Sequence, residues 1–254
     1  MAKIVSIHSF RGGTGKSNTT ANLATTIAAA GHRVAVVDTD IQSPGIHVLF
    51  GMADKPLNHT LNDYLWGNCA IAQTAHDVSP DAVKQGSGSL FLIPSSSQVG
   101  DITRVLKEGY DVRLLRNGLR DLVKDMNLDY VFVDTHPGLN EETLLSIAIS
   151  NILLVLLRPD RQDFQGTAVT VDLARKLRVP KLLIVVNRVL QNSDAEEIRQ
   201  QVEAKYGVPV AGVLPNCDEM MQLASSDLFC LQYSNHPLTQ AIKQIANQVM
   251  EVRQ

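Results

Sequence analysis

Residues 8–20 read HSFRGGTGKSNTT, a glycine-rich turn that follows the apolar run Ile4 to Ile7 and leads straight into a segment of helical character. Strand, glycine loop and helix in immediate succession make a cradle for an anion. Closely spaced glycines let backbone N–H groups converge, and the helix N-terminus behind them carries partial positive charge. Gly15, Lys16 and Ser17 spell the G-K-[ST] ending of a phosphate loop. In such an ending the amides wrap the β-phosphate, the lysine offsets β/γ charge and the hydroxyl ligates magnesium. The dinucleotide fingerprint G-x-G-x-x-G does not fit, because Asn18 stands at its third glycine.

Outward from the loop, runs rich in Val, Ile and Leu recur at Ile4 to Ser9, Arg33 to Val37, Leu90 to Ile93, Tyr130 to Val133, Ile152 to Leu157, Leu182 to Val186 and Val210 to Leu214. Most are apolar throughout, as strands buried on both faces of a parallel sheet require. Helical patterns fill the gaps at Ser17 to Ala30, Val112 to Met126, Glu141 to Ile149, Gly166 to Leu177 and Glu196 to Tyr206. This alternation predicts an α/β fold, a doubly wound, mostly parallel sheet of about seven to eight strands with crossover helices on both faces. Between Gly51 and Gly88 the pattern weakens to one helix, Thr60 to Trp66, and a loop KQGSGS of linker composition.

The 254 residues, 44% hydrophobic and 19% charged, fit one α/β domain over 1–254. A net charge of -3 does not coat the whole surface for nucleic acid or anionic membrane, so any such binding is local. No export signal or apolar run of spanning length is evident, and Cys69, Cys217 and Cys230 are odd in number and isolated, which together predict a cytoplasmic protein with reduced thiols.

Phe10 stands where the ordinary phosphate loop has its first glycine, whereas the alternative spelling K-G-G-x-G-K-[ST] matches RGGTGKS everywhere but at Arg11. With this loop the chain resembles the deviant Walker A ATPases that include ParA, MinD and their relatives. The motif VAVVDTDIQSPG, a strand ending in Asp38 and Asp40, strengthens the resemblance, as does YVFVDTHPG, a Walker B-like strand ending at Asp134. Carboxylates just past a strand's carboxyl end lie in the ligand crevice of an open α/β sheet; turn or cap aspartates are the plainer alternative for the first pair.

The resemblance implies ATP and magnesium as ligands. Gly12, Gly13, Thr14, Gly15, Lys16, Ser17 and Asn18 would form the nucleotide loop, with Ser17 on magnesium and Asp134 and Asp38 acting on it through water. Asp40 would orient the attacking water, and Gly138 would approach the γ-phosphate by its N–H. Asn187 and Pro215, after later strands, would frame the adenine, although ordinary turn roles suit Pro215 equally. His136 reads as a local hydrogen-bonding residue.

The resemblance also implies an ATP-dependent homodimer, with Arg11 in place of the signature lysine acting on the partner's nucleotide; a solvated loop arginine is the alternative. It implies slow hydrolysis stimulated by an activating partner and used to position chromosome, plasmid or protein cargo. Arg175, Lys176, Arg178 and Lys181 would grip DNA non-specifically or simply complement a helix dipole. The stripe Ile242, Ile245 and Val249 reads as the last core helix more readily than as a membrane anchor. Other classes remain open: a metabolic or metal-cofactor-related ATPase of the same superfamily, or a nucleotide-gated adaptor with negligible hydrolysis.

Overall fold

The computed structural model describes residues 2–252. In chain order, β1 (Lys3–His8) leads to α1 (Lys16–Ala29), β2 (Arg33–Asp38), the short helices α2 (Ile46–Leu49) and α3 (Leu61–Leu65), β3 (His76–Asp77), α4 (Asp81–Gln85) and β4 (Ser89–Ile93). Then follow α5 (Val99–Glu108), α6 (Val112–Met126), β5 (Tyr130–Asp134), α7 (Glu141–Ile149), β6 (Ile152–Leu157) and α8 (Arg161–Lys176). The chain ends with β7 (Lys181–Val189), α9 (Ala195–Tyr206), β8 (Val210–Pro215), α10 (Asp218–Leu223), α11 (Phe229–Gln232) and α12 (Pro237–Glu251).

The strands form one eight-stranded sheet in the order β3-β4-β2-β5-β1-β6-β7-β8. Only β3 runs antiparallel to its neighbour, so the carboxyl ends of the other seven share one edge. The seven apolar runs predicted as strands are these parallel strands. Their continuous hydrophobicity follows from two-sided burial: along β2, Val34 and Val36 face one core while Ala35 and Val37 face another. α1 and α12 cover the first face, and α6 to α9 the opposite one. Ile242, Ile245 and Val249 of α12 are buried in this core, which accounts for the stripe read from the sequence. No helix among the described residues is long and apolar enough to cross a membrane.

Three local readings differ. α8 begins five residues before the predicted Gly166, because the Asp160 side chain accepts the backbone N–H groups of Gln162 and Asp163 and caps a helix start whose polar residues hide its periodicity. The KQGSGS stretch is not a linker. α4 runs into it, and Gly88 lies so close to the Ala28 carbonyl that a Cβ there would stand 1.9 Å from the oxygen. Finally, Asn187 and Pro215 lie within the last residues of β7 and β8 rather than past them; β7 continues through an irregular register, with Arg188 at φ 57°.

Candidate functional site

β1 ends at His8, in mid-sheet, and the chain turns through residues 9–15 into α1. Gly15 has φ 94°, and a Cβ there would stand 2.5 Å from Asn187 Nδ2, so both backbone conformation and space demand glycine. Asn187 donates that Nδ2 to the Thr14 carbonyl at 2.8 Å, bracing the loop from β7. Lys16 is only 8% exposed, and its Nζ reaches Ser9 Oγ at 3.3 Å. Burial lowers the Lys16 pKa, against the opposing pull of Asp134 and Asp40.

The strand register places Asp38 and Asp134 directly opposite each other at the ends of β2 and β5. Both are buried. Asp38 accepts the N–H groups of Asp40 and Gly45 at 3.0 and 3.3 Å, yet burial, reinforced by the neighbouring Asp134, pushes its carboxyl well above the usual range. Asp134 is raised to about 6, again chiefly by burial, although Ser17 and Thr20 hydroxyls and the Lys16 charge favour its ionised form. The Thr20 hydroxyl lies 3.2 Å from its Oδ1. Asp40 is raised by burial and held back by His136 and Lys16.

Asp40 and Asp134 act on the single Lys16 ammonium, and Asp38 adds a third carboxyl beside Asp134, so the acids outnumber the cation in a desolvated place. Together with the Ser17 hydroxyl they make an all-oxygen donor set, of the kind magnesium takes alongside phosphate and water. A bound divalent cation would favour the ionised carboxylates, so these residues fit magnesium.

Gly138, at φ 84°, donates its N–H to the Ser9 carbonyl at 3.3 Å, which links the loop after β5 to the glycine loop. His136 makes the local contact expected of it, with Nδ1 2.5 Å from the Pro137 carbonyl, and its Nε2 also lies 3.9 Å from Asp40 Oδ1. Beside the N-terminal half of α1 a cleft opens, lined by Asn18, Asn187, Pro215 and Asn216, with Leu238 and Ile242 of α12. Asn187 and Pro215, expected from the sequence to frame the adenine, and Asn18, expected in the nucleotide loop, all line it, together with α12 residues that the sequence reading did not include.

Near this cleft, Cys217, Glu219 and His236 offer donor atoms within 4.8 Å of one another. The ring is oriented against metal binding: His236 Nδ1 accepts the Leu238 N–H, which leaves the neutral ring's proton on Nε2, facing Glu219.

Arg11 stands at the rim, its Nη1 3.3 Å from Asp163 Oδ1 and 3.4 Å from Asp160 Oδ1. Phe10 lies across Gly166 of α8, where a Cβ would come within 2.2 Å of the ring. Sequence reasoning missed Asp160, Asp163 and Gly166. The available signal was the pair of aspartates at Asp160 and Asp163, which marks a helix N-terminus. The basic cluster is partly committed: Arg175 Nη2 lies 2.5 Å from the Tyr206 carbonyl, while Lys176 and Arg178 are exposed. It sits around the amino end of β7, at the sheet edge opposite the phosphate loop.

Residues 5–228 match the CobQ/CobB/MinD/ParA nucleotide binding domain. The chain belongs to this family. An uncharacterised ATP-binding protein of Methanocaldococcus jannaschii is 30% identical over 247 residues, 97% of this chain and 87% of that protein. The cell division ATPase MinD of Pyrococcus furiosus superposes with TM-score 0.84 over 100% of both chains at 21% identity. The septum site-determining protein MinD of Pyrococcus horikoshii, complexed with Mg-ADP, gives 0.82 over 99% of this chain and 97% of its own at 20% identity. These structural likenesses establish the MinD/ParA phosphate-loop fold, and the family is one of nucleotide-binding ATPases.

Two outcomes test this geometry. Because the Asp134 carboxyl is raised in the folded chain, its ionisation costs stability at neutral pH, and that cost fades as pH falls through about 6 toward the ordinary carboxylate range. Asp134→Asn, in EDTA without nucleotide, is therefore expected to be more stable than wild type at pH 7.5, by up to about 3 kcal/mol. The advantage should vanish near pH 4 in urea unfolding; an advantage unchanged by pH contradicts the buried-charge account. In a double-mutant cycle, Gly166→Ala should destabilise the wild-type chain by about 1–3 kcal/mol through overlap with Phe10. It should stabilise a Phe10→Gly background by up to about 1 kcal/mol through helix propensity.

Proposed function

We propose that this chain binds ATP with magnesium, that two nucleotide-loaded copies close over the nucleotides, and that slow hydrolysis, quickened by an activating partner protein, resets the pair. The cycle positions or partitions cellular cargo in the cytoplasm. The observation that carries this reading is Lys16, buried within the field of Asp40 and Asp134, with Asp38 paired beside Asp134 at the carboxyl edge of the sheet. A core built only for stability gains nothing from several clustered, desolvated charges that lack matching partners.

In this reading the loop amides and Lys16 hold the phosphates. Ser17 would ligate magnesium directly, with Asp134 and Asp38 acting through water; the bound ion would offset the negative charge shared by the phosphoryl oxygens. Asp40, less buried than its neighbours, accepts a hydrogen bond from the attacking water and so aligns it. The Gly138 N–H can exchange the Ser9 carbonyl for a phosphate oxygen, coupling the loop after β5 to the nucleotide. Asn187, Pro215 and the α12 side chains frame the base in the cleft. The Mg-ADP complex of the Pyrococcus horikoshii relative supports the choice of ligands, and the septum-site role named for it supports a positioning function.

Arg11 is assigned to the partner's nucleotide. A guanidinium at the rim is suited to phosphoryl charge supplied in trans. The surface gripped by the dimer is assigned to non-specific DNA, with Lys176 and Arg178 as the exposed phosphate contacts.

Lys16→Ala should lose ATP binding by at least about a hundredfold in calorimetry, since the amides remain but the buried counter-charge is gone. Near-wild-type affinity would remove the phosphate-loop assignment. Asp40→Ala should bind ATP, accumulate as a dimer in size-exclusion chromatography and turn over slowly; normal turnover would reassign Asp40 to a turn role. Mixing subunits tests the arginine. Arg11→Ala with intact Asp40 and Asp40→Ala with intact Arg11 should each be poorly active, yet together regenerate one competent site. Mixed dimers that do not exceed the sum of the two variants would show that Arg11 serves its own loop.

A further inference from the structure

Two side chains at the open side of the site face each other without touching. His136 Nε2 lies 3.9 Å from Asp40 Oδ1, beyond hydrogen-bond reach. The ring's orientation is set by its other nitrogen. Nδ1 lies 2.5 Å from the Pro137 carbonyl, which can only accept, so the neutral ring carries its proton there and Nε2 is a bare acceptor. Asp40 Oδ1 accepts the Ser43 N–H at 3.2 Å and keeps a second lone pair. The two facing atoms are therefore both acceptors. Acceptors 3.9 Å apart, each about 2.8 Å from one oxygen, subtend about 90° there, near enough to the angle between the O–H bonds of water that one molecule can donate to both.

Exposure singles out this pair. The His136 and Asp40 side chains are 28% and 19% exposed, whereas Asp38 and Asp134 are buried. His8, the other imidazole beside the glycine loop, is fully buried, and its Nδ1 donates to the Thr135 hydroxyl at 2.9 Å, which in turn donates to the Ile7 carbonyl. The backbone that carries His136 is tied down on both sides. Gly138 donates its N–H to the Ser9 carbonyl at 3.3 Å, and the Thr143 hydroxyl donates to the His136 carbonyl at 3.3 Å. Pro137 leans on the glycine loop, its Cγ 3.9 Å from where a Cβ on Gly12 would stand. His136 is thus held beside the loop assigned to the phosphates, with its free nitrogen toward Asp40.

The geometry points to His136 as a second catalytic acceptor: with Asp40 it takes the two hydrogens of the attacking water, which leaves a lone pair of that oxygen for the γ-phosphorus. The inference rests on the reading given above, in which Asp40 aligns this water. One acceptor leaves a water free to turn about its hydrogen bond; two fix its plane. As the water oxygen bonds to the γ-phosphorus, the bond from phosphorus to the β–γ bridging oxygen breaks and its electron pair stays with ADP. Both hydrogens remain on the phosphate, which leaves as dihydrogen phosphate, so neither side chain has to keep a proton. His136 orients the water and contributes nothing to nucleotide affinity.

The full chain with magnesium provides the test. His136→Ala should lower kcat for ATP about 10- to 100-fold, while KM and the affinity for β,γ-imido-ATP in calorimetry stay within about twofold of wild type. His136→Gln returns an acceptor oxygen and should turn over at least about threefold faster than His136→Ala. ADP with aluminium fluoride, a complex that holds the attacking water without reaction, gives a readout apart from turnover: His136→Ala should bind it at least about tenfold more weakly. In the nucleotide-free wild type at pH 8, nitrogen NMR, with His136 assigned by its loss in His136→Gln, should find the ring proton on Nδ1 alone. A ring protonated at Nε2 overturns the proposal whatever the variants do. So does wild-type kcat in His136→Ala where Asp40→Ala is slow, an outcome that leaves the Asp40 reading standing. His136→Gln no faster than His136→Ala overturns the acceptor role, and a loss of imido-ATP affinity as large as the loss of kcat marks a structural role instead. Normal turnover in Asp40→Ala, or a wild type that binds ATP and never hydrolyses it, overturns the reading beneath, and the role of His136 with it.

Discussion

The register of β2 against β5 brings Asp38 and Asp134 side by side, out of contact with water, and much of the active edge is organised around that confrontation. Two carboxyls cannot both ionise cheaply in such a place, and their raised pKa values express the conflict. The surroundings supply partial remedies: backbone amides from Asp40 and Gly45 on Asp38, hydroxyls of Ser17 and Thr20 on Asp134, and the ammonium of Lys16 in front. Lys16 is itself disfavoured by burial, so neither sign of charge is fully compensated. Such an arrangement is most stable when something carrying both charges enters, namely a polyphosphate with its cation. The sheet's long-range pairing thus holds the site in readiness at the expense of the empty protein's stability.

That strain has to be borne by rigid surroundings. Phe132, fully buried in the middle of β5, and the apolar residues flanking it anchor one carboxylate; Val36 and Val37 anchor the other. Asn187, from a strand far along the chain, fixes the loop through the Thr14 carbonyl. The parts free to change partners are few and adjacent: Gly138, whose N–H is on Ser9, and Arg11, held by contacts longer than 3 Å. Both contacts lie at the glycine loop, outside the packed core.

Much of this was legible in the chain because it is local. A phosphate loop is written in consecutive residues, and a fully buried strand declares itself by lacking alternation, so Gly15 to Ser17 and Asp134 could be assigned from their neighbours. Asp38 and Asp40 were legible from their position after a strand, but their unequal burial was not, since it depends on which strand lies beside β2. The two-residue β3 has no periodicity to detect, and its pairing with β4 is set by the segment around it. The glycines of KQGSGS resemble a linker in composition, but Gly88 is there because the end of α1 leaves no room for a side chain. Composition records that glycine is present; only packing tells why.

The acids facing Arg11 were illegible for a deeper reason. Asp163 lies some 150 residues from the loop, and its nearest sequence cue, a capping pattern, accounts for Asp160 while leaving Asp163 unexplained. In space the explanation is short. Phe10 replaces the first glycine of the ordinary loop, and its ring needs a floor; Gly166 provides one, and the chain is thereby drawn onto α8, where the next residue meets two carboxylates. A loop with glycine at position 10 would have no such seat. The departures at positions 10 and 11 are therefore coupled: the aromatic residue fixes where the loop rests, and the arginine next to it meets the acids that this resting place supplies.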